Sequence, residues 1–402
     1  MDFIIRLENF ILSLLIVLIF GVTLFFVLDI MQIIDVPEKY SLATYIYSNT
    51  NTISSVDVPS RVDEPVPAEY VVNTVTDDFA KGEEIGETYS GGAFDPSLLD
   101  KSYTVEQKVE SPNVSDVNAD RLYYNQLDMY GQKIYDSILD HKEDMKSGVY
   151  VIDFGKDFDE LLHTEEGADV LNNAFQLGVN AVMFDHPEIF YIDITNIFLM
   201  TEVTTRAFSK TYEVSLGSNG TSYLYPEFQN GKLDEAIATV EGVRNNVKET
   251  LEGYDDYTKI ISVHDYIVNN AEYEKNPTSQ NVYNMYGALV DYKAVCEGYA
   301  KGFKYLMDTL NIPCIVACGT GTNNEGKIEN HAWNYVYIND RWYALDSTWD
   351  DPIIVGYGKV TDTIRYHYFL KGSNSFFEDH TEDGKIIDSS QFVYPKISEE
   401  DF

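Results

Sequence analysis

The pattern of apolar and polar positions divides the chain into stretches of different kinds. Phe10 to Leu28 is an uninterrupted uncharged run, and about twenty apolar residues span a bilayer core as a helix. It predicts a transmembrane helix at 10–28 behind a short cytoplasmic leader at 1–9. Arg6 before the run and Lys39 after it lean weakly towards N-terminus inside. A cleaved signal peptide is the bland alternative, but Val27-Leu28-Asp29-Ile30-Met31 stands where a small-x-small cleavage site belongs. Across 29–117 periodic apolar positions almost vanish in favour of Ser, Thr, Asn, Asp, Glu, Pro and Gly. Such a segment buries too little apolar surface to offset the entropy of ordering it, so it predicts an acidic disordered linker.

Periodicity returns near Asn118. Leu127, Tyr130, Ile134 and Ile138 recur at helical spacing, with Asp116 or Asn118 available as a cap. A second helix is predicted from Ala168 to Met183, broken by Asp185-His186-Pro187-Glu188. Ile189–Phe198, Thr211–Leu216 and Ser222–Phe228 predict short strands, the last two joined by a turn at Gly217-Ser218-Asn219-Gly220. These make a smaller α/β region at 118–231.

Between 232 and 392 the pattern predicts helices at Lys232–Leu251 and Asp255–Ala271, the second with His264 inside an apolar stripe and read as a packing residue. After Cys296, Tyr299, Phe303, Leu306, Met307 and Leu310 share one helical face, and Asn311 and Pro313 end that helix. A strand is predicted at Ile312–Gly319. His331–Ile338 and Arg341–Ser347 form two more, joined by the hairpin pair Asn339-Asp340. Residues 393–402 are left as a tail.

Composition narrows the function. With 66 Asp plus Glu against 28 Lys plus Arg, the formal net charge is -38, which repels nucleic acid and anionic head groups. Tyr 31 and Phe 21 argue against disorder throughout. The three cysteines, Cys296, Cys314 and Cys318, leave an odd thiol, so this is no disulfide scaffold.

Cys296 opens its helix, where the positive end of the dipole stabilises a thiolate, the nucleophilic form. Taken alone it is more readily a small buried hydrophobe. The hairpin changes that. A two-residue turn pairs Ile338 with Arg341, which sets Trp333 opposite Asp346 and His331 opposite Thr348. Period two then puts His331, Trp333, Trp342, Ala344 and Asp346 on one face, with His331 and Asp346 as diagonal neighbours. That is the base and orienter of a catalytic triad, beneath indoles that would shield it from water. Cys314 and Cys318 lie about 13 Å apart on a strand, too far for a disulfide. A zinc site with His331 lacks ligand spacing, so both are read as core and no metal is expected.

Ala-Val-Cys-Glu-Gly-Tyr-Ala at 294–300, His-Ala-Trp-Asn at 331–334 and Trp-Tyr-Ala-Leu-Asp-Ser-Thr-Trp-Asp-Asp-Pro at 342–352 resemble the microbial branch of the transglutaminase-like superfamily. The likeness runs over about 255–380, taking in Phe369-Leu370 and Asp379-His380. It implies an α+β fold, a transglutaminase-like (papain-like) core with a helix-borne Cys packed on an antiparallel sheet, as the catalytic domain at 232–392. It also implies Cys296 as nucleophile, His331 as general base and acid, and Asp346 as orienter, with no cofactor. A second oxyanion donor is not identifiable, Tyr286 and Asn284 being candidates. The expected function is a membrane-anchored extracytoplasmic thiol enzyme. It would form a thioester at Cys296 and resolve it with an amine, cross-linking protein, or with water, as a peptidase or amidase. Its partner would be a protein or peptide substrate at the surface or cell wall. The alternative is a catalytically inactive surface-binding or scaffold module.

Overall fold

The structure, a computed structural model, describes residues 50–55, 121–206, 209–275, 277–323, 326–351, 362–387 and 390–402. The predicted transmembrane run and nearly all of the predicted linker lie outside them. Among the described residues no helix is long and apolar enough to cross a membrane.

The chain separates into two compact units. The smaller is built on residues 153–168 and 198–216 together with strand β1 (Thr50–Ser55), which falls within the stretch read as a linker. With β2 (Val151–Gly155), β3 (Phe198–Arg206) and β4 (Ser209–Gly217) it forms a four-stranded sheet in the order β1-β3-β4-β2. Phe154 meets Phe158 edge-on, and the Asp159 carboxylate accepts the Tyr212 N–H at 2.6 Å, tying β4 to the turn after β2.

The larger unit begins with α1 (Met129–Asp140). Asp116 and Asn118 lie outside the described residues. The cap is Asp128, which accepts from the N–H groups of Tyr130 and Gly131 because a 3-10 turn at Tyr124–Gln126 delays the helix start. Helix α2 (Gly167–Asp185) matches its prediction closely. Asp185 at its end is buried and accepts from the Tyr123 and Tyr124 N–H groups and the Tyr135 hydroxyl.

The strands predicted at 189–198 and 222–228 do not form. A single bridge, Ile192 to Leu224, remains between 3-10 turns at Ile194–Asn196 and Pro226–Phe228. Asp193 captures the Thr195 N–H at 3.0 Å and so starts a turn, while Pro226 has no N–H for a ladder. Their apolar residues are core all the same, Ile189, Phe190, Tyr223 and Phe228 among them.

Helices α3 (Leu233–Thr250) and α4 (Asp256–Asn270) follow their predictions within a residue or two. A short parallel pair, β5 (Glu272–Tyr273) and β6 (Lys293–Ala294), leads into α5 (Cys296–Thr309). The sheet behind α5 is antiparallel, in the order β10-β7-β8-β9, from β7 (Cys314–Thr322), β8 (Ile328–Ile338), β9 (Arg341–Leu345) and β10 (His380–Glu382). Ile338 pairs with Arg341 as the hairpin arithmetic required, and Asn339 and Asp340 both adopt positive φ, 49° and 62°.

Glycine spacing on β7 makes room for two indoles. A Cβ on Gly319 would lie 2.7 Å from the Trp333 ring, and one on Gly321 would lie 2.7 Å from the Trp349 ring. Residues 393–402, set aside in the sequence as a tail, lie against β9, where the Ser398 N–H bonds the Trp342 carbonyl at 2.7 Å.

Candidate active site

Three segments of the larger unit carry the sequence-predicted residues. Cys296 is the first residue of α5 and is 4% exposed. The entry to the helix is fixed by the Val295 N–H bonding the Val282 carbonyl at 3.0 Å. Gly298, in the first turn, permits this, since a Cβ there would stand 2.3 Å from that same carbonyl. Helix α5 lies on the sheet through Asn334, whose amide donates to the Ala300 carbonyl at 2.9 Å and the Ile315 carbonyl at 3.2 Å.

On β8 and just past β9, His331 Nε2 and Asp346 Oδ2 are 2.7 Å apart, with both side chains buried. The diagonal contact deduced from register therefore forms. Asp346 Oδ1 accepts from the N–H groups of Thr348 at 2.9 Å and Trp349 at 3.2 Å. Burial pushes the Asp346 carboxyl up, but the charge and hydrogen bonds of His331 and His380 outweigh it and hold the group well below the usual carboxylate range.

The shield over the pair differs from expectation. Trp333 flanks His331, but Trp342 sits beside the hairpin turn and meets Tyr337 instead. Its place is taken by Trp349, which stacks on the His331 ring at 5.0 Å with an interplanar angle of 27°. The sequence contained the signal, Trp349 in the Asp-Ser-Thr-Trp run, but the strand ends at Leu345 and alternation says nothing beyond it.

A second imidazole, His380, falls within the sequence likeness but has no role assigned there. His380 on β10 is 1% exposed, with Nε2 3.3 Å from Asp346 Oδ2 and Nδ1 2.7 Å from Asp379 Oδ1. Its strand is three residues long, too short for any periodicity to announce. His264, expected to be a packing residue, is fully buried and bonds Asp350 Oδ2 at 3.0 Å and Asp265 Oδ1 at 3.2 Å, joining α4 to the segment after β9.

Among the described residues the donor atoms of His331, Asp346 and His380 lie within 4.8 Å of one another and are the one such group able to hold a metal ion. Hydrogen bonds already satisfy them. Cys314 and Cys318 are buried on β7, and burial pushes both thiols up, Cys318 to about 12. That is the behaviour of core cysteines.

Of the candidate oxyanion donors, Tyr286 is packed between the rings of Phe190 and Phe228. Asn284 Oδ1 accepts from the Tyr286 N–H at 2.8 Å, while its buried Nδ2 has no partner among the described residues. Asn284, Glu297 and Lys301 line a small cavity of about 20 Å³.

A family model described as Transglutaminase-like superfamily matches residues 244–347, a span containing Cys296, His331 and Asp346. Kyphoscoliosis peptidase of Mus musculus is 28% identical over 170 residues, covering 38% of this chain and 26% of that protein. The Homo sapiens protein of the same name is 27% identical over 170 residues. The chain thus spans about a quarter of the length of these curated relatives. Two solved structures are also similar. One is a TGase (14% identity, TM-score 0.26, covering 42% of this chain and 49% of that one). The other is a putative cysteine protease from Cytophaga hutchinsonii (16% identity, TM-score 0.24, covering 38% and 57%). The ordered motifs around Cys296, His331 and Asp346 and the match over 244–347 make this segment similar to the transglutaminase-like superfamily.

Proposed function

We propose that the chain is a membrane-anchored extracytoplasmic thiol enzyme that forms a thioester at Cys296 on a carboxamide or peptide carbonyl of a surface or cell-wall protein. The carrying observation is the buried His331–Asp346 pair at 2.7 Å, in the same compact unit as a cysteine at the head of a helix. Because Nε2 of His331 faces Asp346, Nδ1 is the ring nitrogen that takes the Cys296 proton. The thiolate attacks the carbonyl carbon and forms the S–C bond, with the positive end of α5 favouring the charge that develops on oxygen. The C–N bond then breaks, and the leaving nitrogen takes the proton from His331. In the second half an amine or water attacks the thioester, gives its proton to His331 and releases the Cys296 thiol. Amine gives a cross-link and water gives hydrolysis. The relatives named peptidase favour water as the acceptor here.

Incubation of the full-length protein with a glutamine-containing protein and a fluorescent primary amine separates these outcomes by mass spectrometry. Backbone cleavage or deamidation that vanishes in Cys296→Ala is expected, and amine incorporation in its place would make the protein a transglutaminase. If wild type and Cys296→Ala are equally silent on a broad panel and Cys296 resists iodoacetamide, the chain is a binding module and the enzyme is ruled out.

A further inference from the structure

We propose that the cavity lined by His186, Asn284 and Glu297 is a binding site for one tightly held water. That water ties the head of α5 to the end of α2 and to the 3-10 turn at Gln280–Tyr283. The site lies within the larger unit and stands whether or not Cys296 is a nucleophile.

Three buried polar atoms on these lining residues have no hydrogen-bond partner among the described residues: Asn284 Nδ2, Glu297 Oε2 and His186 Nε2. Asn284 is 4% exposed and Glu297 8%, so both side chains are withdrawn from bulk solvent. The bonds at their other ends fix what each can do. Asn284 Oδ1 accepts from the N–H groups of Tyr286 at 2.8 Å and Gly287 at 3.4 Å, which settles the amide orientation and leaves Nδ2 as a donor. Glu297 Oε1 takes the Lys301 ammonium, and the other oxygen of that paired carboxylate only accepts. His186 Nδ1 lies 3.0 Å from Glu188 Oε1, and Nε2 donates or accepts according to where the ring holds its proton.

A ligand here must accept from the Asn284 amide, donate to the Glu297 carboxylate and meet His186 in either role. An ammonium group only donates and would oppose the Asn284 N–H. A metal ion has nothing to gain from that N–H either, and an anion would confront Glu297. Water both donates and accepts. The cavity is about 20 Å³, against about 10–15 Å³ needed to hold one water, and about three bonds is the ordinary complement of a buried one. Ile189, Phe190 and Ile192 supply apolar lining, so the three atoms would otherwise stand desolvated without return. Glu297 follows Cys296 directly, and a Cβ on Gly298 would lie 3.2 Å from the Asn284 carbonyl. The water therefore acts on the first turn of α5. It also gives the Asn284 amide a partner other than a reacting carbonyl oxygen.

Diffraction from crystals of the full-length chain, at a resolution that shows ordered solvent, should reveal one spherical peak about 2.7–3.2 Å from Asn284 Nδ2, Glu297 Oε2 and His186 Nε2. An empty cavity, an Asn284 amide bonded directly to Glu297, or a peak about 2.0–2.6 Å from oxygen atoms alone, as a cation would give, overturns the proposal. In solution, the Asn284 side-chain amide, identified as the ¹⁵N signal lost in Asn284→Asp, should exchange magnetisation with a long-lived water, and silence there is equally fatal. Asn284→Asp also replaces the donor with a second carboxylate beside Glu297. Deuterium exchange should then quicken several-fold over 295–301 while β7, β8 and β9 stay protected, and unchanged exchange over 295–301 in a folded variant would show that no water ties this turn. Should the variant not fold, the wild-type peak decides alone.

Discussion

Asp346 shows at the residue scale how much of the site a local rule reaches. Its contact with His331 follows from two facts about extended chain, alternation with period two and a two-residue turn, and both were legible in Asn339-Asp340 and the flanking runs. Its contacts with His380 and with the Thr348 and Trp349 N–H groups were not, because they arise where the strand has ended and tertiary packing decides. The four donors together make Asp346 costly to change. Asp346→Asn replaces a pure acceptor with a group that must also donate, so it disturbs the His331 tautomer. We expect the rate of Cys296 carbamidomethylation at neutral pH to fall sharply, and turnover by roughly 10³- to 10⁴-fold, with little loss of fold. Asp346→Ala leaves two imidazoles without their anion and should cost about 3–5 kcal/mol in denaturant unfolding.

Elements were legible where they carry their own periodicity. Helices α3, α4 and α5 and strands β7, β8 and β9 fall close to prediction. The stretches 189–198 and 222–228 misled because a continuous apolar run describes burial without saying whether it is strand or turn, and Asp193 and Pro226 chose turn. β10, three residues long, was too short to show a period, whereas β2 at five residues is no shorter than β9 and was simply not read as a strand. Glycines carry the element-scale predictions. Gly298→Ala puts a methyl against the Val282 carbonyl, and since backbone cannot yield as a side-chain tip does, the first turn of α5 must move. A loss of about 1–3 kcal/mol is expected by denaturant melt, with slower alkylation of Cys296. Gly321→Ala drives into the Trp349 ring, which rests on His331. Its stability cost should be similar, and intrinsic tryptophan fluorescence should change with it, whereas an unaltered spectrum would show that the indole has somewhere to go.

For the larger unit, buried acids set the response to pH. Burial pushes Asp185 up to about 6, Asp350 to about 6 and Asp351 to about 7. Their folded forms hold protons that the unfolded chain has released by about pH 4, so their contribution to stability declines as pH rises from there through 6 to 7. His380, with its pKa raised, loses its contribution in the same direction, as pH rises through its folded value. Asp346 runs the other way, its contribution present above the ordinary carboxylate range and lost as pH falls through its depressed folded pKa. Relief of self-repulsion from a net charge of -38 adds to the first trend. The melting temperature should therefore be higher at pH 5.5 than at pH 8, and Asp185→Asn should shrink the difference. A melting temperature that climbs towards pH 8 would show that these carboxyls are ionised and solvated.

The family-model match ends at residue 347, yet the Asp346 N–H bonds the Tyr368 carbonyl, the aspartate's second imidazole arrives at 380, and the strand before it is held by Ser398. A chain cut at residue 347 would keep Cys296, His331 and Asp346 and lose what holds Asp346 in place.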